Sequence, residues 1–172
     1  MGNRANVVFV NKAGDNISPT VYLHWNGGAE SIYAFLDELD RRKVRADQCY
    51  ECARFVQIVS EFFDSGEERY GTLSLGVMNG PKTIDKEGIA DVPTDIGDNG
   101  FFVVCREGER TVRRFVTQYS KDHKVKIVEM SEKDVEAERV EAYQHEYHTG
   151  SQPIANTFLN NSHGRKVPES VM

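Results

Sequence analysis

Val21-Tyr22-Leu23-His24-Trp25-Asn26-Gly27-Gly28 carries an apolar strand into a Gly-Gly turn and on toward a helix. β-Branched and aromatic residues suit a pleated surface, and paired glycines relieve crowding at a sharp turn. Upstream, Ala5-Asn6-Val7-Val8-Phe9-Val10 is a second such strand, with a turn cluster of Gly14, Asp15 and Asn16 between them. Strands over 5–10 and 19–24 are therefore expected to pair as a hairpin. Downstream, Ile32, Phe35, Leu36 and Leu39 recur at helical spacing. They predict a helix over 30–42 whose Glu38, Asp40 and Arg41 face away from the core. A second helix is predicted after Asp47, ending near Phe63, with an apolar stripe of Cys52, Phe55, Val56, Val59, Phe62 and Phe63.

Further strands are predicted over 72–77, 101–105, 111–118 and 125–130, bounded by turn residues such as Asn79-Gly80-Pro81 and Glu107-Gly108-Glu109. The interval 82–99 has no clear period and reads as a long loop. A last helix starts at Ser131, where Asp134 completes a capping-box-like start and Gly150 is placed to end it. Two consecutive helices followed by hairpin-linked strands argue against a doubly wound parallel sheet. The expected architecture is α+β: a mostly antiparallel sheet of five to six strands with two helices packed on one face. It divides into a core domain, 1–130, and an acidic helix with a C-terminal extension, 131–172.

The chain has 172 residues, 39% hydrophobic and 28% charged, which suits one globular domain. No apolar run approaches the roughly 20 residues of a membrane helix, and the opening residues lack the apolar centre of a secretory signal. Three cysteines without a framework spacing favour a reducing, cytoplasmic setting. The net charge is −6, and residues 131–148 hold six acidic residues against two basic ones, a net of −4. That distribution argues against direct nucleic-acid binding, which needs clustered Lys and Arg, and for an acidic helix offered to a basic partner.

Several residues could carry chemistry. His24 and Trp25 sit at a strand end, where open sheets place ligands, but Trp25 also reads as a packing anchor. Cys49 and Cys52 have CxxC spacing at a helix start. They lack the two further ligands of a zinc site, and Cys52 falls on the apolar stripe, so both read as structural. Glu141, His145 and His148 share one helical stripe, a partial metal site that needs a ligand from elsewhere. Imidazoles near a helix C-terminus also interact well with its dipole, which is the simpler account. Asp91, Asp95 and Asp98 are too widely spaced for a calcium loop. Arg41, Arg42, Lys43 and Arg45 complement the carbonyl end of the first helix, and Arg106, Arg110, Arg113 and Arg114 read as a solvated hairpin face. No nucleophile-elbow pattern is present.

The segment Gly2-Asn3-Arg4-Ala5-Asn6-Val7-Val8-Phe9, followed by Val21-Tyr22-Leu23-His24-Trp25-Asn26-Gly27, resembles a family of small bacterial and phage proteins. Those proteins open on Gly-x-Arg-Ala-Asn and continue with a Tyr-Leu-x-x-His-Trp-x-Gly-like segment. The likeness extends through Ala53-Arg54-Phe55-Val56 and Asp98-Asn99-Gly100-Phe101-Phe102-Val103-Val104, covering residues 2 to 116. It implies a shared α/β core and a bacterial or mobile-element origin, and it carries over no catalytic residue. Cys105 stands where the family pattern is acidic.

The leading functional expectation is a non-enzymatic protein-binding module using Glu136, Glu138 and Glu141, with Trp25 as a further contact. In a phage or plasmid setting its natural form is an inhibitor of a host defence nuclease, whose basic groove attracts acidic residues. No cofactor is called for, and a second copy is the other partner the acidic helix suits. Two alternatives stand beside it: a metal-dependent hydrolase or nuclease using His24 with Asp95 or Asp98, and a small-ligand sensor with a pocket at Trp25.

Overall fold

The computed structural model describes residues 3–64, 75–92, 96 and 98–148. Among them are six strands: β1 (Ala5–Val10), β2 (Thr20–Leu23), β3 (Leu75–Met78), β4 (Phe101–Cys105), β5 (Thr111–Tyr119) and β6 (Val125–Glu129). Four helices accompany them: α1 (Ala29–Arg41), α2 (Gln48–Asp64), α3 (Lys86–Ala90) and α4 (Glu132–His148). The strands form one sheet in the order β3-β2-β1-β4-β5-β6. All neighbours are antiparallel except β1 and β4, which run parallel with Val8 opposite Val103. The α+β reading holds. The one parallel pair arises because the chain leaves the β3 edge, passes β2 and β1, and enters β4 beyond them; a parallel neighbour requires such a crossover.

Alternation along the strands creates two cores. Val7, Phe9, Val21, Leu23, Phe102 and Val104 face α1 and α2. Val8, Val10, Phe101, Val103 and Phe115 point the other way. The helical layer inserts Ile32, Phe35, Leu36 and Leu39 from α1 and Phe55, Ile58 and Val59 from α2. Phe55 meets Phe9 and Phe35 edge-on, with ring centroids 5.6 and 6.0 Å apart, a favoured aromatic geometry.

Three expectations need correcting. The interval 82–99 is not featureless: it holds α3, capped by Asp85, whose carboxylate accepts the Gly88 N–H at 2.7 Å. Its Ile89, Val92 and Ile96 cover the second face of the sheet. A five-residue helix is too short to show a period. Glu38 does not face away; it is buried, with Arg41 and Arg42 both donating to its carboxylate. The hairpin arginines are not all solvated either, since the side chains of Arg106 and Arg114 are only 6% and 3% exposed. Residues 72–74 of the expected strand, the Phe63 side chain, Gly150 and the 151–172 extension lie outside the described residues. No described helix is long and apolar enough to cross a membrane.

Candidate functional site

α4 is built from a sequence with no continuous apolar stripe, so polar contacts decide which side docks. Ser131 starts it, its hydroxyl accepting the Asp134 N–H at 3.1 Å. Ala142 enters the helical core and Tyr143 packs against it. Tyr143 donates to both oxygens of Asp37 on α1, at 2.9 and 2.8 Å, and accepts from Arg110 at 3.2 Å. Burial, with that bond to Asp37 behind it, pushes the phenol up to about 12. One helical turn back, Glu138 takes two hydrogen bonds from Arg114, at 2.7 and 3.3 Å. Arg114 also donates to the Phe101 carbonyl at 2.7 Å and lies 3.6 Å over the Phe102 ring. A guanidinium can serve all three partners because its donors are planar and forked while its face is weakly hydrated.

Docking in this way fixes what α4 turns outward. Glu132, Asp134, Glu136 and Glu141 are exposed, and so is Val140, 41% exposed, one turn beyond Glu136. Glu136 pairs with Arg139 at 2.7 Å across one turn, a surface contact of small energetic weight. Of the three acids expected to bind a partner, Glu136 and Glu141 thus lie on the free face. Glu138 is committed to Arg114.

A second charged network ties α1, α2 and the β4–β5 hairpin together. Arg106 donates to Asp40 at 2.7 Å, to Glu51 at 3.1 Å and to the Val44 carbonyl at 3.1 Å. Arg110 spans Asp37 and Asp40, each at 2.8 Å. Glu51 is fully buried, and its other oxygen, Oε2, has no partner among the described residues. Burial outweighs the attraction of Arg106 and lifts this carboxyl from its ordinary value near 4.5 to about 7.

At the opposite end of the strands, β2 ends beside the starts of β1 and β4. Gly27 donates to the Asn3 carbonyl at 2.8 Å, and a Cβ there would fall 2.5 Å from that oxygen. Steric relief therefore accounts for Gly27. His24 Nδ1 shares a 3.0 Å hydrogen bond with the Tyr22 hydroxyl, and its ring meets Trp25 edge-on at 5.1 Å. Trp25 is 37% exposed. Asp98 arrives near His24, but Arg4 engages both its oxygens, with bonds of 3.0, 3.3 and 3.2 Å from Nα, Nε and Nη2. Those bonds hold Asp98 below the ordinary carboxylate range, with His24 adding slightly. A carboxylate clamped in that way is a poor general base. Asp95, the other carboxylate expected with His24, lies outside the described residues, as do the side chains of His145 and His148. Among the described residues no three His, Cys, Asp or Glu side chains gather as a metal site.

Comparison with family models, curated proteins and solved structures returned no match for this chain.

Arg114, Arg106, Glu51 and Tyr143 were not picked out as site residues from sequence. A signal for Arg114 was present: on β5 it shares one side with Val112 and Val116, which places it on the helix-facing side of the sheet.

Proposed function

We propose that the protein is a non-enzymatic binding module that presents the outward face of α4 to a protein with a basic surface. The observation that carries this reading is the division of labour on α4. Tyr143 and Glu138 lock the helix to α1 and β5, while Glu132, Asp134, Glu136 and Glu141 stay exposed and Val140, also exposed, lies one turn beyond Glu136. Charge complementary to a basic surface speeds encounter and fixes register. A nucleic-acid groove on a host defence nuclease is a surface of the required sign. That target, the cytoplasmic setting and the phage or plasmid origin rest on the family resemblance and on composition. The hydrolase reading is weaker because Arg4 already occupies Asp98.

Reversing charge at two exposed positions, Glu136→Lys with Glu141→Lys, tests the proposal without touching Glu138. Capture from a bacterial lysate is quantified by mass spectrometry for wild type, for this variant, and for a control reversal of Asp122 on the β5–β6 turn. The variant is expected to lose a basic partner by about tenfold or more, with wild-type capture weakening as salt rises. The control retains it. Equal recovery by all three proteins, at every salt concentration, counts against the acidic face.

A further inference from the structure

We propose that Cys49 and Cys52 form a reversible dithiol–disulfide site in the first turns of α2, oxidised by small disulfides such as oxidised glutathione. The three described cysteines are free thiols in three environments: Cys49 exposed, Cys52 buried and Cys105 intermediate. Cys52 belongs to the helical core and Cys105 packs against the core on the other face of the sheet. The only two that share an element are therefore Cys49 and Cys52.

Three residues apart on a helix, their Cβ atoms lie roughly 5–6 Å from each other. A disulfide needs about 3.5–4.5 Å. The first turn can close by that difference. The Cys49 N–H is held by the Asp47 side chain, at 3.1 Å, and not by a helical carbonyl. The Glu51 N–H, bonded to the Asp47 carbonyl at 2.8 Å, keeps the next residues in place as this happens. The two thiols differ in the way a redox pair requires. Cys49 is open to a reagent. Cys52 is shielded, its Sγ 3.9 Å from the Pro19 carbonyl, and burial, reinforced by Cys49, pushes its thiol up. Cys49 is thus the attacking sulfur and Cys52 the resolving one.

The reaction balances. The Cys49 thiolate attacks one sulfur of R–S–S–R, forming a mixed disulfide and expelling R–S⁻. That thiolate takes up the proton leaving Cys52, and the Cys52 sulfur then attacks Cys49 Sγ. The internal S–S bond forms and a second R–S⁻ departs, taking up from solvent the proton that Cys49 released on ionising. Two electrons pass from the protein to the small disulfide, and excess reduced thiol reverses both steps. Closing the bond shifts the Cys52 sulfur and so loosens its 3.9 Å contact with the Pro19 carbonyl at the start of β2.

The test equilibrates the whole protein with oxidised and reduced glutathione, quenches with acid, alkylates, and maps peptides by mass spectrometry. Wild type and Cys105→Ala are expected to lose the mass of two hydrogens through a bond between Cys49 and Cys52, and to regain it under reducing conditions. Cys52→Ser is expected to stop at glutathione on Cys49, so that a trace species becomes the dominant one. Cys49→Ser leaves Cys52 reduced. A wild type that stays fully reduced, that accumulates glutathione on Cys49 without an internal bond, or that bonds through Cys105 overturns the proposal. The wild-type map decides even where a variant fails to fold.

Discussion

Replacing Arg106 with Met is expected to destabilise the fold by about 3–5 kcal/mol at pH 8 and by much less at pH 5. At pH 8 the wild-type Glu51 is mostly ionised, and Arg106 is the guanidinium that donates to it. Removing Arg106 strands a buried carboxylate, leaves Asp40 to Arg110 alone and takes from the Val44 carbonyl its guanidinium donor. At pH 5 Glu51 is already protonated in the folded protein, so there is less attraction to lose. The sign follows from the raised folded value. Between about 4.5 and about 7 the folded state holds a proton that the unfolded chain releases. Glu51 therefore lowers stability as pH rises through that window, by about 3 kcal/mol in all. Without Arg106 the window extends upward, and the decline continues past pH 7. Glu51→Gln, which has nothing to titrate, flattens the profile between pH 4.5 and 7. Urea unfolding of the three proteins at pH 5 and pH 8 measures this. Parallel pH profiles for wild type and Glu51→Gln would remove Glu51 from the account.

Arg114→Met is expected to cost about 3 kcal/mol and to free α4 from the sheet. It removes the Glu138 pair, the bond to the Phe101 carbonyl and the cation stacked on Phe102 in one step. Glu138→Lys does comparable damage from the other side, since it sets two positive groups against each other where one is buried. Glu136→Lys and Glu141→Lys should each change stability by no more than about 0.5 kcal/mol. Thermal unfolding with hydrogen exchange on α4 separates the two groups. Equal effects at 136, 138 and 141 would mean that α4 is not docked through Arg114. The result matters for function too, because only acids that can be changed without unfolding report on partner binding.

Much of the architecture was legible. The apolar run Val7-Val8-Phe9-Val10 of β1 announces a strand buried on both faces, and the stripe Ile32, Phe35, Leu36 and Leu39 gives α1 within a residue at each end. Polar docking was harder to read. Glu38 stands three and four residues before Arg41 and Arg42, so the ion pairs could be foreseen, but no local pattern reveals that the carboxylate is buried. Arg114 sits at an inward position of β5, yet its partner Glu138 lies on a helix whose apolar residues define no stripe. Which side of α4 docks depends on contacts across the fold, and periodicity carries no information about those. The same holds at the strand ends. The proximity of His24 and Asp98 was anticipated, and the Arg4 clamp that makes Asp98 a poor base was not.

Carboxylate footprinting of the captured complex, read by mass spectrometry, tests the acidic-face proposal most directly. Labelling of Glu132, Asp134, Glu136 and Glu141 is predicted to fall when the partner is bound, while Asp98 stays as reactive as in the free protein. Unchanged labelling along α4, with protection at Asp98 beside His24 and Trp25 instead, would place the working surface at the other end of the strands and contradict the proposal.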